Sequence, residues 1–415
     1  MVGKPGVVMV DEEGAGTGLV GRKPRPAPAD NAVRSGRPPR ESLDAVHRPR
    51  RSFLSRWAFV RHAAVAVAST TLAVASCDTG AGTTSDGKDP PRIGVLLPDA
   101  TTARWETQDR PLLEKKIKEL CDDCRVEHAN ARGDVAIQQE QMESLITEGA
   151  DAILLVPVDA RALAASVRKA HAAGIPVVSY DRLAGGPISG YVSFDGEEVG
   201  RLQGRALLKA MGDKVRSGRI VMMNGDPSDP NAVSFKQGAL SVLNGKVKIA
   251  KAYDTLQWSA EAANMNMSGA ISALGAGHID GVYAANDGLA AGSISALKAN
   301  KVRPLPPVTG QDAELAAVRR IVAGDQYMTV YKPFGPEASA GGAMAVAAAR
   351  GAGLDQVATG KVRTSEGTAV PAVRLTPVSV TVADIKHVLV KDGMYTIRQI
   401  CTPQLAAACA RAGLT

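Results

Sequence analysis

A regular alternation of strand-like and helix-like segments begins at Arg92, and it constrains the fold more than any other feature of the chain. Strands that alternate with helices of about 10–15 residues form right-handed βαβ units and a parallel sheet. The first series predicts strands at 92–97, 125–130, 151–157, 175–181 and 189–195 and helices at 109–120, 134–148 and 159–174.

A second series of the same kind follows. It predicts strands at 219–223, 247–253, 281–285, 307–310 and 328–332 and helices at 230–243, 259–274, 287–299, 313–323 and 336–350. Two consecutive series predict an α/β fold with two similar Rossmann-like lobes and parallel sheets. Residues 370–400 lose the helical spacing and predict short strands that cross back between the lobes, namely AVPAVRL, VSVTV, KHVLVKD and MYTIRQ.

The charge distribution argues against a nucleic-acid-binding protein. Charged residues make up 22% of the chain and apolar residues 45%, which is ordinary for a soluble globular protein. Most of the net charge of +7 lies in residues 1–62, which hold 12 Lys and Arg against 6 Asp and Glu. The rest of the chain is nearly neutral and lacks the excess of basic residues that binds phosphate backbones.

The N-terminal part of the chain predicts export. Residues 1–49, rich in Pro, Arg and Gly, are interpreted as disordered or as the product of a start codon placed too far upstream. A G-x-G-x-x-G pattern at 16–21 lacks a preceding strand and a following helix, so it predicts no dinucleotide site. Residues 50–77 predict a signal peptide, because basic residues precede about 14 small, mostly apolar ones. The pair Arg50-Arg51 resembles a twin-arginine export motif.

The end of this signal, Val74-Ala-Ser-Cys77, resembles a bacterial lipobox. Lipidated Cys77 would then begin the mature chain and anchor it to the outer face of the cytoplasmic membrane. Residues 78–91 would form a polar tether. A plain cleavage site with a chance cysteine is the alternative.

Four further cysteines follow the signal peptide. An even number of cysteines in an exported protein indicates disulfides, and local pairing, Cys121–Cys124 and Cys401–Cys409, is simplest. The second pair would close a tail at 401–415. A redox motif or a zinc site at Cys121-Asp-Asp-Cys124 is the alternative. Acidic residues between the thiols disfavour thiolates, and the histidines are scattered, so no metal or cofactor is predicted.

Scarce tryptophans and polar residues follow the predicted strands. Of 3 Trp, one lies in the leader, Trp105 lies in the polar stretch TTARWETQDR after the first strand, and Trp258 follows the strand at 247–253. The polar candidates at such strand ends are Arg104, Asp181, Arg182, Asn231, Asn286, Asp312 and Lys332. Because ligands of open α/β sheets bind outside the carboxyl ends of the strands, we expect these side chains to line one cleft.

This set of residues matches the chemistry of a sugar. Indole rings stack on the weakly polar C–H faces of a pyranose, while ionised and amide groups hydrogen-bond its hydroxyls. Each residue alone has a simpler interpretation: Asn231 or Asp287 as a helix N-cap, a lone Arg or Lys as a solvated group, a Trp as a core cover. The prediction depends on their convergence at one end of both sheets.

Several longer stretches strengthen this interpretation. They are IPVVSYDRL at 175–183, YVSFDGEEVG at 191–200, NDGLAAG at 286–292, GQDAELAAVRRIVAGDQYMTVYKP at 310–333 and VRLTPVSV at 373–380, beside Arg104-Trp105. With these stretches the chain resembles the sugar-binding proteins of bacterial ABC importers, which have the type I periplasmic-binding-protein fold. It is most similar to the D-xylose-binding proteins, in an actinobacterial lipoprotein version.

The resemblance implies a two-lobed receptor. One lobe would span 92–193 plus 334–376 and the other 194–333 plus 377–400, with three hinge crossings near Ser193, Tyr331 and Thr376. It implies that the seven polar candidates contact the sugar and that both tryptophans stack on it. It also implies a monomer that delivers a monosaccharide, D-xylose first, to a membrane permease, with glucose, ribose or arabinose as alternatives.

Two other classes of protein remain to be weighed against a receptor. A secreted glycosidase needs two carboxylates with separated pKa values, whereas Asp181 and Asp312 have basic neighbours that would keep both ionised. A sugar-responsive repressor would begin with a helix-turn-helix, where this chain has an export signal. A sensory role alongside transport stays open.

Overall fold

The first lobe is built by the first series of strands and helices. The computed structural model describes residues 89–415, so the leader, the signal peptide and Cys77 lie outside the described residues. The elements in chain order are β1 (Arg92–Leu97), α1 (Arg110–Leu120), β2 (Arg125–Asn130), α2 (Val135–Thr147), β3 (Ala152–Leu155), α3 (Ala164–Ala172), β4 (Val177–Tyr180) and β5 (Gly190–Phe194). Apolar runs such as β3 and β4 are buried throughout because helices cover both faces of a parallel sheet.

The second lobe begins with a helix at 196–211 that was not predicted, and it continues with the second series of strands and helices. Its elements are α4 (Gly196–Met211), β6 (Arg219–Asn224), α5 (Pro230–Leu243), β7 (Lys248–Asp254), α6 (Ala260–Leu274), β8 (Gly281–Ala284), α7 (Asp287–Ala299), α8 (Leu315–Ala323) and β9 (Met328–Tyr331). Strands β7, β6 and β8 form a parallel sheet in that order. The strand predicted at 307–310 is wrong: only a single parallel bridge, Val282 to Val308, forms there. Pro307 has no N–H to donate to a ladder.

The chain then returns to the first lobe. The returning elements are α9 (Phe334–Ala349), β10 (Gly360–Arg363) and β11 (Ala369–Leu375). Strand β11 pairs in parallel with β5, and β10 pairs antiparallel with β11. The first sheet therefore has the order β10-β11-β5-β4-β3-β1-β2.

A last crossing leads back to the second lobe, where β12 (Val378–Thr381) pairs antiparallel with β9. The chain thus passes between the lobes three times, after Phe194, Tyr331 and Leu375. Parallel pairing aligns the strands of each sheet, so their carboxyl ends meet at one edge of each lobe.

Two of the predicted C-terminal strands are wrong. KHVLVKD contains a π-helical turn, Lys386–Val390, and MYTIRQ contains the short helix α10 (Ile397–Ile400). A capping box of Thr396 and Gln399 starts α10. Apolar residues of this segment pack around α8 instead of extending a sheet.

Both cysteine pairs are disulfide-bonded. Cys121 is joined to Cys124 after α1, and Cys401 is joined to Cys409, which lies in α11 (Ala406–Arg411). Cys121, Asp123 and Cys124 also form the single group of possible metal ligands found within residues 89–415, and both of its sulfurs are used by the disulfide. None of the helices in the described part of the chain has the length and apolarity to cross a membrane.

Glycines bring α4 and α5 into backbone contact in the second lobe. A Cβ atom on Gly238 would lie 2.0 Å from the carbonyl oxygen of Glu197. A Cβ atom on Gly200 would lie 2.0 Å from the carbonyl oxygen of Phe235. Any side chain at these positions would push the helices apart. Since α5 begins at the edge of the cleft, this contact fixes the site end of the helix.

Candidate ligand-binding cleft

The structure brings all nine predicted site residues to one cavity between the strand ends of the two lobes. The first lobe contributes Arg104, Trp105, Asp181 and Arg182, and the second contributes Asn231, Trp258, Asn286 and Asp312. Lys332 lies on the crossing that follows β9. Four further lining residues were not predicted: Thr102, Asp229, Phe235 and Gln311.

Arg104 is buried, and each of its three side-chain nitrogens donates a hydrogen bond. Its Nη1 donates to Asp181 Oδ2 at 2.8 Å, and its Nε and Nη2 donate to the two carboxylate oxygens of Asp109, each at 2.7 Å. Burial alone would lower the pKa of Arg104, but the surrounding carboxylates raise that pKa above its usual value. The guanidinium therefore stays charged in a site that excludes water.

Sequence reasoning missed the residues behind Arg104. Asp109 and Glu337 are fully buried, Glu337 accepts from Arg104 Nη2 at 2.7 Å, and Tyr180 Oη donates to Asp109 at 2.7 Å. Burial raises the pKa of both carboxyl groups, against the opposing charge of Arg104. The sequence carries little sign of this cluster, because its members look like helix and strand residues.

Trp105 is part of a helical segment of the first lobe. It opens a π-helical turn, Trp105–Asp109, that leads directly into α1. Its ring lies 4.4 Å from the guanidinium carbon of Arg104, a cation–π contact. The side chain is only 2% exposed, so it belongs both to the cavity wall and to the core of the lobe.

Asp181 connects the two lobes. Its Oδ1 accepts from Asn231 Nδ2 at 2.8 Å, and its Oδ2 lies 3.4 Å from Lys332 Nζ. Burial opposes ionisation, but Lys332 and Arg104 hold the pKa of this carboxyl well below its usual range. The carboxylate is therefore ionised and serves as an acceptor.

Arg182 makes a second connection between the lobes. Its Nε lies 2.8 Å from Asp229 Oδ2, and its Nη2 lies 3.5 Å from Asp99 Oδ2. Asp229 is also the N-cap of α5, where it accepts from the backbone N–H of Asn231. Burial raises the pKa of Asp229 to about 6 in spite of Arg182.

Asp312 and Lys332 form an ion pair in the floor of the cavity. Lys332 Nζ lies 3.0 Å from Asp312 Oδ1, and both side chains are nearly completely buried. Burial lowers the pKa of Lys332, but Asp181 and Asp312 more than offset this and raise it. The opposite charges compensate one another, which suits a cleft that closes over a neutral ligand.

The two asparagine side chains of the site lie at the N-termini of helices α5 and α7. Asn286 is the N-cap of α7 and accepts from Leu289 N at 2.9 Å. Asn231 lies in the first turn of α5, but Asp229 makes the cap, so the Asn231 amide is free to reach Asp181. The capping interpretation is therefore wrong for Asn231 and also for Asp287, which follows the actual cap, Asn286.

Asp287 lies just outside the cavity and supports it. Its buried carboxylate accepts from Gln326 Nε2 at 2.7 Å, from Thr329 Oγ1 at 2.9 Å and from Glu314 N at 2.9 Å. These bonds tie α7 to the segment that carries Asp312.

Trp258 faces the cavity from the second lobe. Its ring meets Phe235 edge-on, with centroids 6.4 Å apart. The ring lies directly over Gly225, where a Cβ atom would be 2.1 Å from the indole. Within residues 89–415 neither its Nε1 nor that of Trp105 has a hydrogen-bond partner, although both atoms are buried. Each indole therefore has a donor to offer to a ligand.

Three site residues have a left-handed backbone, with φ of +57° at Asp181, +53° at Trp258 and +91° at Asp312. Such conformations cost about 1–3 kcal/mol each in residues other than glycine, and they concentrate at functional sites. The surrounding packing holds these backbone conformations, and all three residues line the cavity.

The space between these groups is small. The cavity measures about 20 Å³, little more than a water molecule needs. The side chains of the two lobes approach so closely because they pair directly, as Asp181 does with Asn231. A sugar would enter only if the lobes moved apart and these direct contacts were exchanged for contacts to the ligand.

Comparison with known proteins agrees with this architecture. A family model described as a periplasmic binding protein domain matches residues 93–353. The chain belongs to the periplasmic binding protein family. The D-xylose-binding periplasmic protein of Escherichia coli K12 is 35% identical to it over 311 residues, which cover 73% of this chain and 91% of that protein.

Two other members of the periplasmic binding protein family extend the comparison. The multiple sugar-binding periplasmic receptor ChvE of Rhizobium radiobacter is 31% identical over 332 residues, which cover 75% of this chain and 93% of that protein. The crystal structure of an ABC transporter solute-binding protein from Clostridium phytofermentans with bound β-D-glucose superposes with a TM-score of 0.69 at 28% identity, covering 75% of this chain and 100% of that one. These relatives are binding proteins, so this chain is a binding protein and not a glycosidase.

Proposed function

We propose that this protein is an extracytoplasmic receptor that captures a monosaccharide, with D-xylose as the first candidate, for an ABC importer. The observation that carries the proposal is the convergence of nine residues, predicted from strand ends far apart in the chain, on one cavity between the lobes. Two indole rings and a rim of ionised and amide groups together match a pyranose and few other small ligands.

The charges in the cleft support a neutral polyhydroxylated ligand. Asp181 and Asp312 supply carboxyl acceptors, while Arg104 and Lys332 supply charged donors, and acidic and basic groups are paired within 4 Å. An anionic or cationic ligand would leave one sign uncompensated in a buried site. A sugar hydroxyl both donates and accepts, so it can be inserted between an acid and a base.

D-xylose is favoured by two of the relatives. These two, from Escherichia coli and Haemophilus influenzae, are D-xylose-binding periplasmic proteins, at 35% and 33% identity. D-glucose is the alternative, because solved relatives at 28% identity contain it.

Hinge closure explains capture. The three crossings after Phe194, Tyr331 and Leu375 let the lobes move relative to each other as two bodies. A sugar that contacts both lobes binds the closed arrangement more strongly than the open one, and this difference shifts the population towards closure. The closed receptor would then be recognised by a permease, with ATP hydrolysis supplied by another subunit.

Calorimetric titration tests this function directly. Protein purified from cells that express the full-length chain is titrated with D-xylose, D-glucose, L-arabinose and D-ribose. We expect micromolar or tighter binding of D-xylose, about −8 kcal/mol or more favourable, with a change in tryptophan fluorescence. If only another sugar binds, that sugar replaces D-xylose as the proposed ligand and the proposal of a sugar receptor stands. If no sugar binds, the proposal of a sugar receptor is contradicted.

Membrane attachment through Cys77 is a separate proposal that rests on the lipobox resemblance of residues 74–77. In the native host, wild-type protein should sediment with membranes and partition into detergent. Cys77→Ser should be recovered in the soluble or secreted fraction because it has no thiol to lipidate. Cys121→Ser is the control for loss of a cysteine elsewhere and should stay with the membranes. Continued membrane association of the Cys77 variant would contradict the anchor.

A further inference from the structure

A buried cluster of Asp109, Tyr180 and Glu337, here called the Arg104 clamp, lies behind the cavity and does not line it. All three side chains are fully buried. They come from three different elements: the turn before α1, the end of β4 and the first turn of α9. Among residues 89–415, Arg104 is the only positive charge that pairs with the clamp.

Asp109 grips one edge of the guanidinium. Arg104 Nε donates to Asp109 Oδ2 and Nη2 donates to Oδ1, both at 2.7 Å. This is a bidentate pair, and it fixes the plane of the guanidinium group as well as its position. Tyr180 Oη donates to Asp109 Oδ1 at 2.7 Å and so holds the carboxylate itself in place.

Glu337 and an aromatic ring complete the arrangement. Arg104 Nη2 also donates to Glu337 Oε2 at 2.7 Å. The ring of Phe334, one turn earlier in α9, lies 4.2 Å from the guanidinium carbon. Phe334 and Glu337 directly follow the crossing that carries Lys332, so one short segment positions two of the three cations of the site, Arg104 and Lys332.

The clamp decides how many donors Arg104 can offer. Nε and both hydrogens of Nη2 are used by Asp109 and Glu337, and one hydrogen of Nη1 is used by Asp181. A single N–H remains on Nη1. That nitrogen lies on the cleft side, 3.9 Å from Asp312 Oδ1 on the other lobe.

We propose that Asp109 is a specificity-determining positioning residue, which restricts Arg104 to one contact with one hydroxyl of the bound sugar. This inference rests on the proposed function. Without the bidentate grip, the guanidinium can turn and present a second edge, so a sugar that lacks the selected hydroxyl is no longer strongly disfavoured. Selectivity between sugars that differ in their hydroxyl groups is therefore determined by a residue that lies behind the cavity wall and does not touch the ligand.

The test combines variants with altered sugars. D-xylose and its 2-, 3- and 4-deoxy forms are titrated into wild type, Asp109→Asn and Tyr180→Phe. Asparagine keeps the size of Asp109 but turns an amide donor towards an Arg104 donor. We expect D-xylose to bind roughly tenfold to a hundredfold more weakly to Asp109→Asn. One deoxy form should bind much more weakly than D-xylose to wild type, and this loss of affinity should be much smaller in both variants.

Tyr283→Phe is the matched control. Tyr283 is fully buried in β8 of the second lobe, and its hydroxyl has no partner among the described residues. This variant should bind all four sugars like wild type. Thermal unfolding of each variant shows that it is folded, and Tyr180→Phe carries the test if Asp109→Asn does not fold.

The outcomes separate the two proposals. If wild type binds D-xylose and the variants lose thermal stability but keep the wild-type ratios among the four sugars, the clamp is structural and this inference is overturned. If wild type binds none of these sugars and none of D-glucose, L-arabinose and D-ribose, the proposed function fails and the inference falls with it. A reduced deoxy penalty in both variants, absent from the control, supports the inference.

Discussion

Side chains of the cleft are held by charged groups from both lobes. Asp312 is an example whose contribution to sugar binding can be measured. Its carboxylate is paired with Lys332 at 3.0 Å, and its backbone is left-handed. Asparagine is one of the few residues that tolerates such a backbone. Asp312→Asn therefore removes the charge of this acceptor with little change in shape.

We expect Asp312→Asn to weaken sugar binding by roughly tenfold or more, because hydrogen bonds to a charged acceptor are about twice as strong as neutral ones. Titration calorimetry measures the loss. The control is Asp325→Asn, which removes a carboxylate from an exposed pair with Lys298 and should leave affinity unchanged. An equal affinity of wild type and Asp312→Asn would remove Asp312 from the site.

Asp229 gives the stability of the protein a pH dependence of defined sign. Burial raises the pKa of its carboxyl to about 6, against the effect of Arg182. The unfolded chain releases this proton near pH 4. Between about pH 4 and 6 the folded state therefore holds the extra proton, and the contribution of Asp229 to stability is lost as the pH rises through 6.

Asp229→Asn keeps an acceptor for the N-cap of α5 but cannot ionise. The free energy of unfolding of wild type should fall relative to that of the variant by roughly 3 kcal/mol between pH 4 and pH 7. Urea unfolding at the two pH values measures this difference. A difference that stays constant with pH would show that the pKa of Asp229 is the same in the folded and unfolded protein.

The residues that line the cavity were more predictable from the sequence than the buried residues that hold them in place. The nine lining residues follow strands, and the topology of parallel sheets brings strand ends together. Nothing comparable marks Glu337, which meets Arg104 across a sequence separation of 233 residues. Asp109 and Tyr180 looked like a helix start and a strand end, because their partners depend on packing between elements.

Among the elements, the α/β series was predictable and the C-terminal part was not. Long segments such as α6 and α7 have helical spacing and caps of their own. The segment 386–400 is short, and its apolar residues can serve a strand or a helical turn equally well. Its packing around α8 and the local capping box decide the outcome.

The close contact between α4 and α5 should make the stability of the second lobe sensitive to any side chain at Gly238. Gly238→Ala places a methyl group 2.0 Å from the backbone of Glu197, where no side-chain movement can relieve the clash. The helices must separate, at a cost of about 1–3 kcal/mol or more. Phe235, which lies on α5 and lines the cavity, would move with the helix. Sugar affinity should therefore fall together with the melting temperature.

Gly269→Ala on α6 is the matched control for this change. Its Cβ atom would meet nothing within 4 Å, so alanine should stabilise the helix by roughly 0.5–1 kcal/mol. Thermal unfolding and calorimetry of both variants make the comparison. If Gly238→Ala were as stable as wild type, α4 and α5 would not be in backbone contact.

At the scale of the whole molecule, the lobes are joined by three crossings and by ion pairs over the cleft. Exposed ion pairs contribute little, but these are buried and cost desolvation when they form. The balance between open and closed arrangements is therefore expected to be close. A ligand that contacts both lobes can shift such a balance by as much as its affinities for the two arrangements differ.

The cavity of about 20 Å³ is too small for a monosaccharide, so sugar entry requires the lobes to separate and then close again. We expect the radius of gyration from small-angle X-ray scattering to decrease when D-xylose is added to the ligand-free protein, because the population shifts from open to closed. The same addition should stabilise the fold by about 2.7 kcal/mol at a hundredfold excess over Kd. A sugar that calorimetry shows not to bind is the control and should change neither quantity. Stoichiometric binding with an unchanged radius of gyration would contradict closure and would mean that the sugar enters by local side-chain movement alone.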